Sequence, residues 1–304
     1  MNFPELTETE RLEHLSPPSG KVRMVLDTDT YNEVDDQFAV AHALLSPDQM
    51  TVEALYAAPF HNGRSNGPGD GMERSYDEIL RLLDRLNVPN NDLVFRGSTG
   101  YLEGTDTPQN SDAVRDLITK ALSSDELLYV VAIGAITNVA SAILLEPEII
   151  KRIVVVWLGG HEHTRYSTSE FNLKQDVPAA RIIFDCGVPF VQIPCRNVAS
   201  HLLTTLPELE AYVAGKSAVG DFLTETVRGY HKDHYAWAKE IWDLSATAYL
   251  VNPNWVTTRL VHSPILTDQV TYSHDAGRHF MRVAVQLNRN AIFADVFRKL
   301  QTTG

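Results

Sequence analysis

Short apolar runs alternate with amphipathic segments along the first two thirds of the chain. Apolar runs of roughly four to eight residues, bounded by small or polar turns, are typical of strands. The runs interpreted as strands are 22–29, 52–59, 93–96, 127–134, 153–159 and 190–194. The runs YVVAI and VVVWL are apolar on both faces, which is typical of buried parallel strands.

The segments between these runs show the spacing of helices. In residues 72–86 (MERSYDEILRLLDRL), the side chains of Tyr76, Ile79, Leu80 and Leu83 fall on one helical face. The other predicted helices are 36–45, 111–122, 138–145 and 177–186. Alternating strands and helices predict an α/β fold: an open, mostly parallel sheet flanked by helices, with a Rossmann-like core.

Beyond residue 200 the pattern becomes mostly helical, up to about residue 251. Strands are then predicted at 269–273 and 280–287, with the turn DAG at 275–277 between them. This pattern predicts a C-terminal helical and β-hairpin extension. Because the sequence has no repeat, low-complexity tract or linker, residues 1–304 are expected to form a single domain, with 1–20 as an N-terminal extension.

Composition narrows the classes of partner. Of the 304 residues, 26 are Lys or Arg and 39 are Asp or Glu, so the net charge is −13. This charge disfavours nucleic-acid polymers and anionic membranes, and it favours a small-molecule partner. The chain has no apolar stretch long enough for a membrane span and no signal-peptide pattern, so a cytoplasmic location is expected. Cys186 and Cys195 are expected to be reduced thiols.

Candidate chemistry begins directly after the first predicted strand. The five carboxylates of Asp27, Asp29, Glu33, Asp35 and Asp36 lie within ten residues and would repel one another in a buried crevice. A cation would offset this repulsion, and Ca²⁺ or Mg²⁺ fits better than Zn²⁺ because no His or Cys is interleaved. Asp35 and Asp36 point about 100° apart on a helix, so one could hold a metal while the other holds a substrate. The alternative is a solvated loop with helix-capping aspartates.

A second polar cluster, SEFNLKQD, follows the predicted strand at 153–159. Glu170 and Asn172 are two residues apart on an extended segment, so they face the same side and could bind sugar hydroxyls. Asp176 is interpreted as the cap of the following helix. The HEH sequence at 161–163 is a weak zinc signal.

A third cluster lies in KEIWDLSATAYLVNP, where Asp243 begins or enters a helix. Trp242 beside it could be a core residue, which is the usual place of tryptophan. Upstream, His231 and His234 are expected on a helix surface.

These segments together resemble a known family. Residues 22–287 resemble the calcium-dependent nucleoside hydrolases of the inosine–uridine-preferring type. The resemblance is carried, in order, by LDTD…DD, Asn62 at a strand end, AIGAITNVA, LGG…SEFN and WDLSATAYLVNP. It implies an open α/β fold, cleavage of ribonucleosides to ribose and free base, Ca²⁺ as cofactor, and a homodimer or homotetramer.

The resemblance also implies a role for each matching residue. Asp29 and Asp36 would bind Ca²⁺, and Asp29 would also take the proton from the attacking water. Ile133 would give its main-chain carbonyl to the metal, and Asp243 would complete the metal set. The residues implied to hold the ribose are Asp35 at the 2′-hydroxyl, Glu170 at the 5′-hydroxyl, and Asn62, Asn172 and Asp243.

Two departures from the family pattern bear on function. The loop TYNEV is two residues longer than usual and lacks glycine, so Glu33 could replace or add to a ligand. Trp242 stands where many members have the histidine that protonates the leaving base. Purine-preferring members carry Trp there and stack it on the base, so purine ribosides are the predicted substrates. Candidates for a facing aromatic are Tyr101, Tyr230 and Tyr235, and candidates for the acid are His231 and His234.

Two other functions are compatible with parts of the sequence. LDTDT matches the DxDxT signature of haloacid-dehalogenase-like phosphatases, with Asp27 as nucleophile and Asp29 as acid, but no convincing later Lys and acidic pair follow. The unusual loop is also compatible with a non-catalytic, calcium-dependent protein that binds ribosides or a related sugar.

Overall fold

The computed structural model describes residues 3–302 and is built around an eight-stranded sheet. The strands are β1 (Val22–Thr28), β2 (Met50–Ala57), β3 (Val94–Arg96), β4 (Leu128–Ala132), β5 (Ile153–Leu158), β6 (Phe190–Ile193), β7 (Leu203–Thr204), β8 (Lys239–Glu240), β9 (Val256–His262), β10 (Ile265–Leu266), β11 (Tyr272–Ser273) and β12 (Phe280–Leu287). The helices are α1 (Glu8–His14), α2 (Val34–Leu44), α3 (Pro68–Leu86), α4 (Asp112–Leu122), α5 (Thr137–Leu145), α6 (Phe171–Gln175), α7 (Val177–Asp185), α8 (Leu206–Tyr212), α9 (Ala218–Tyr230), α10 (Leu244–Val251) and α11 (Arg289–Gln301).

The strand order in the sheet is β3-β2-β1-β4-β5-β6-β12-β9. All neighbouring strands are parallel except β12 and β9, which are antiparallel. The predicted open, mostly parallel α/β sheet is therefore confirmed. The chain runs outward from β1 to β3 on one side and from β4 onward on the other. Sheets of this type bind ligands at the carboxyl ends of the strands near such a reversal.

Two buried apolar clusters cover the two faces of the sheet. Met24 and Leu26 of β1 belong to one cluster, and Val25 between them belongs to the other. This alternation follows from the two-residue period of a strand. Strand β5 (IVVVWL) is buried along its whole length, so it supplies both clusters. The central strands are thus held from both sides, which fixes the positions of the loops at their ends.

The C-terminal part differs from the prediction in its pairing. An antiparallel pair does form one edge of the sheet. The partner of β12 in this pair is β9, not the segment 269–273. Within that segment only Tyr272–Ser273 is a strand, and it pairs with β10. Strand β9 (VTTRLVH) escaped prediction because it is an edge strand with several exposed positions, so its sequence contains no continuous apolar run.

The N-terminal extension is held against the rest of the protein. Helix α1 begins with a capping box in which Thr7 and Glu10 exchange hydrogen bonds. The guanidinium group of Arg11 donates to the carbonyl oxygen of Gly187, after α7. Within residues 3–302, no helix is both long and apolar enough to cross a membrane.

Candidate active site

The first acidic residues reach the sheet edge through β1 and α2. Strand β1 ends at Thr28, and Asp29 follows in the loop. Asp35 and Asp36 occupy the first turn of α2, where the helix dipole favours negative charge. All three aspartates are buried, with exposed fractions between 0% and 5%. The solvated loop considered from the sequence is therefore not what the structure contains.

Asp243 brings a further carboxylate to the same place from the far end of the chain. It precedes α10, and one carboxylate oxygen from each of Asp35, Asp36 and Asp243 lies within 4.8 Å of the others. Burial first, and then the neighbouring carboxylates, raise the pKa of Asp243 well above its usual value. Burial and Asp35 do the same to the pKa of Asp36. The three charges therefore oppose one another unless a proton or a cation intervenes.

Asp29 lies close enough to this cluster for its charge to interact with Asp36, Asp35 and Asp243, and both of its carboxylate oxygens are buried. Neither oxygen accepts a hydrogen bond from any residue between 3 and 302. Burial, followed by the charges of Asp36 and Asp35, raises the pKa of Asp29 well above its usual value. A Cβ atom on Gly134 would lie 3.0 Å from Asp29 Oδ1, so the glycine leaves room beside the carboxylate. Unpartnered buried acceptors of this kind call for a cation or a donor from a ligand.

Asp35 and Asp36 differ in their surroundings. Asp36 Oδ1 accepts a hydrogen bond from Thr28 Oγ1 at 2.6 Å, whereas Asp35 Oδ1 is buried without a partner among the described residues. Burial raises the pKa of Asp35 to about 7, and the nearby ammonium of Lys239 opposes this shift. Asp35 is thus the carboxylate that combines a free oxygen with a nearby positive charge.

Asn172 connects the ends of two central strands. Its Nδ2 donates to the carbonyl oxygens of Ile133 at 2.9 Å and Leu158 at 3.0 Å. A carbonyl oxygen has two lone pairs, so Ile133 keeps one acceptor position after this bond. The structure therefore brings Asn172 and the Ile133 carbonyl, both expected in the site, into direct contact.

Glu170 caps α6 with its side chain. Its carboxylate accepts backbone N–H groups from Asn172 at 3.0 Å, Gly160 at 3.0 Å and Leu173 at 3.1 Å. These bonds fix the turn that carries Asn172, which sequence reasoning did not anticipate. As predicted, Asp176 caps α7, accepting the N–H of Ala179 at 2.9 Å.

The carboxylates open onto a cavity of about 330 Å³. Its lining residues are Asn32, Glu33, Asp35, Asp36, Asn62, Ile133, Leu158, His161, Ser169, Glu170, Phe171, Asn172, Cys195, Arg196, Trp242 and Asp243. The structure thus brings together the residues expected from the sequence, except that Asp29 is not among the residues that line the cavity. A larger groove of about 700 Å³, lined by residues such as Arg11 and Arg278, contains none of them.

The aromatic residue that accompanies Trp242 is not one of the three tyrosines considered from the sequence. Phe171 lines the cavity, whereas Tyr101, Tyr230 and Tyr235 do not. Tyr235 is 90% exposed to solvent. The signal that could have found Phe171 is its position between Glu170 and Asn172 at the start of α6.

The histidines are also arranged differently from the expectation. His231 stacks on Trp237, and His234 Nε2 lies 3.1 Å from the carbonyl oxygen of Arg228, so neither lines the cavity. His161 does line it, and burial, followed by Arg165 and Arg196, lowers its pKa to about 4. His161 and its neighbour His163 form no metal-binding cluster among the described residues, where the three aspartates are the group with suitable geometry.

Comparison with known proteins identifies the family to which this site belongs. Residues 24–294 match the family model described as inosine-uridine preferring nucleoside hydrolase. The chain belongs to this family. Pyrimidine-specific ribonucleoside hydrolase RihB of Escherichia coli O1:K1 / APEC is 28% identical over 179 residues, which cover 54% of this chain and 56% of that protein. The chain therefore spans about half the length of the curated relatives it matches.

Solved structures of nucleoside hydrolases share the fold. The purine-preferring ribonucleoside hydrolase from Gardnerella vaginalis has a TM-score of 0.73 at 22% identity, covering 92% of this chain and 98% of that one. A plant nucleoside hydrolase, the PpNRh1 enzyme, has a TM-score of 0.72 at 21% identity, covering 92% and 99%. At these identities the likeness establishes a common architecture for the family member described here.

Proposed function

We propose that this protein hydrolyses the N-glycosidic bond of ribonucleosides, releasing ribose and the free base with the help of a bound Ca²⁺ ion. The observation that carries the proposal is the convergence of Asp29, Asp35, Asp36 and Asp243 at one cavity in a member of this family. Four buried carboxylates this close together, with Lys239 near Asp35 as their neighbouring cation, would destabilise the fold on their own. A bound cation and a bound nucleoside would explain why four carboxylates are buried at this site.

The donor atoms suit a hard divalent cation. Asp29, Asp36 and Asp243 offer carboxylate oxygens, and Ile133 offers a carbonyl oxygen with a remaining lone pair. Oxygen-only sets of this kind favour Ca²⁺ over the softer transition metals. When bound, the ion would orient a water molecule and lower its pKa.

The protein's own groups supply the other requirements of the reaction. Asp29, with two free oxygens and a raised pKa, is suited to accept the proton of the attacking water. Asp35, Asn62 and Asn172 would hold the ribose hydroxyls. Cleavage of the bond places positive charge on the ribose ring, and the surrounding carboxylates stabilise it. In this arrangement, Glu170 acts on the sugar while also fixing the turn.

We further propose that purine ribosides are preferred. Trp242 and Phe171 both line the cavity, and two aromatic walls favour a large planar base. The names of the relatives differ on this point, since RihB is pyrimidine-specific and the Gardnerella vaginalis protein is purine-preferring. The preference must therefore be measured on this protein itself.

A phosphatase function is not supported. The nucleophile of that alternative would be Asp27, which is fully buried and does not line the cavity. Asp27 Oδ1 accepts a hydrogen bond from Asn138 Nδ2 at 2.7 Å, which ties it to the end of the sheet. Asp27 lies within β1, whereas Asp29 lies in the loop beyond the strand and is among the carboxylates that act on Asp243.

The test is base release from inosine and uridine by the purified protein, with Ca²⁺ or with a chelator. We expect hypoxanthine release that the chelator abolishes, and a loss of about 100-fold or more in kcat for Asp29→Asn. The exposed Asp268→Asn is the matched control and should leave kcat unchanged. Nucleoside binding without release of any base would exclude hydrolysis, and equal rates with uridine and inosine would exclude the purine preference.

A further inference from the structure

One buried cation lies beside the acidic cluster. The ammonium group of Lys239, on β8, donates to Glu33 Oε2 at 2.6 Å and to the carbonyl oxygen of Glu240 at 3.0 Å. The Lys239 side chain is only 8% exposed, whereas that of Glu33 is 41% exposed and lines the cavity. A lysine is rarely this buried unless its charge is paired.

The Glu33–Lys239 pair joins the two segments that carry the acids. Glu33 immediately precedes α2, and Asp35 lies two positions later. Lys239 lies four positions before Asp243, on the segment that enters α10. The two partners are 206 residues apart in the sequence. The pair therefore fixes the spacing between the strand-end loop and the C-terminal segment at the point where their carboxylates meet.

The charge of Lys239 acts on Asp35 in particular. Burial raises the pKa of Asp35 and Lys239 partly opposes that rise. Burial also acts to lower the pKa of Lys239, but the charges of Asp35 and Glu33 outweigh it, so the pKa of Lys239 is raised. The pKa values of Asp29 and Asp36 are governed by burial, by other carboxylates and by local hydrogen bonds instead. Asp35 is thus the member of the acidic cluster that has both Lys239 and Glu33 among the charges acting on it.

The other side of the same loop is also anchored. Asn62 Nδ2 donates to Asn32 Oδ1 at 2.6 Å, and Arg64 donates to the carbonyl oxygen of Asn32 at 3.1 Å. The backbone N–H of Val34 donates to the hydroxyl of Tyr230 at 3.0 Å. Because the hydrogen bonds of Asn32 to Asn62 and Arg64 do not involve Lys239, loss of the Glu33–Lys239 pair should disturb Asp35 without unfolding the loop.

We propose that Glu33 and Lys239 are positioning residues that direct Asp35 toward the sugar and so set the selectivity for ribose over 2′-deoxyribose. This inference rests on the proposed function and adds to it a role for the longer loop that contains Glu33. The buried pair holds the start of α2, which carries Asp35 in its first turn, against the segment that enters α10 after Asp243, and so fixes where Asp35 lies at the cavity.

The test compares Lys239→Met, Lys239→Arg and Glu33→Gln in the full chain, with inosine and 2′-deoxyinosine as substrates. For Lys239→Met we expect KM for inosine to rise about tenfold, kcat to stay within about threefold, and the inosine preference to fall by a similar factor. Lys239→Arg should restore most of the preference, and Glu33→Gln should give an intermediate loss. Lys120→Met removes a similarly enclosed ion pair, with Asp116, away from the cavity and should change none of these quantities.

Calorimetry separates positioning from a general structural defect. Removing the positive charge should leave Ca²⁺ affinity undiminished, whereas a disordered site would bind Ca²⁺ more weakly. Unchanged KM and preference in Lys239→Met, or a fall in Ca²⁺ affinity of more than about threefold, would overturn the inference.

A binding measurement covers the case in which the wild-type protein releases no base. Titration with ribose and 2-deoxyribose then measures the same discrimination without catalysis. A wild-type preference for ribose that Lys239→Met abolishes would support the positioning role even though hydrolysis had failed. Equal binding of the two sugars by the wild-type protein would refute it.

Discussion

His42 Nδ1 lies 2.8 Å from Thr247 Oγ1 in a buried contact that joins α2 to α10. These helices begin at the acidic cluster, since α2 carries Asp35 and Asp36 in its first turn and Asp243 precedes α10. On its other side, His42 Nε2 lies 2.9 Å from Asp295 Oδ2 of α11. A polar link inside the helical layer therefore maintains the distance between carboxylates from opposite ends of the chain.

Thr247→Val tests this link with little change in volume. The substitution leaves a buried ring nitrogen of His42 without a partner, which costs about 1–3 kcal/mol in the free energy of unfolding. Urea denaturation measures this loss. Thr226→Val removes a local hydroxyl bond to the carbonyl of Phe222 within α9 and should cost less. If both variants lose the same free energy of unfolding, the His42–Thr247 contact contributes no more to stability than a local hydroxyl bond within a helix.

Asp36→Asn should stabilise the protein in the absence of a cation. The amide keeps an oxygen for Thr28 Oγ1 but removes a buried negative charge, so we expect the free energy of unfolding to rise by about 1–2 kcal/mol at pH 8. The rise in melting temperature caused by Ca²⁺ should disappear in the same variant. Asp268→Asn, at an 86% exposed side chain, should change neither quantity. A variant that melts lower without Ca²⁺ would contradict the assignment.

Stability without a cation should fall as the pH rises toward neutrality. Burial raises the pKa of Asp27 and of Asp35 to about 7, well above the usual value of an aspartate. The stability gained from protonating such groups is fully present below the unfolded value and is lost as the pH rises through about 7. Urea midpoints between pH 5 and 8, in chelator, should therefore decline, and Ca²⁺ should lessen the decline. A midpoint that rises over this range would refute the prediction.

Loss of the Trp242 side chain should lower kcat/KM more for purine ribosides than for pyrimidine ribosides. Trp242→Ala removes one aromatic wall of the cavity, so kcat/KM for inosine should fall about tenfold or more, as expected for loss of a base-stacking contact. The fall for uridine should be smaller. Trp237→Phe, at a side chain outside the cavity, is the control. An equal fall in kcat/KM for both nucleosides would mean that Trp242 stabilises the fold rather than contacting the base.

The parallel part of the fold was predictable because its strands are buried on both faces. Continuous apolar runs such as IVVVWL leave no alternative to a central strand, and the helices between them have clear spacing. The edge was not predictable on the same grounds. In β9, Thr257 and Arg259 lie among exposed positions, so the strand shows neither a run nor an alternation.

The acidic part of the site was predictable because charge repulsion makes a dense group of carboxylates conspicuous. The position of Lys239 beside these carboxylates was not predictable. Lys239 lies in a segment without periodicity, and its partner Glu33 is far away in sequence. The same limit applies to Phe171, whose exposure to the cavity depends on the turn that Glu170 fixes. The sequence predicted an acidic site near the start of α2, while the folded chain shows which charged groups lie beside one another there.

The placement of Asp243 has a consequence for how the protein matures. During synthesis, β1 and α2 emerge early, but the segment that completes the acidic group leaves the ribosome only with the final fifth of the chain. Any ion that requires both parts can be captured only after they dock, so calcium would favour the finished molecule over its nascent or truncated forms. Retention of the ion would then report that the strand-end loop and the segment before α10 have docked.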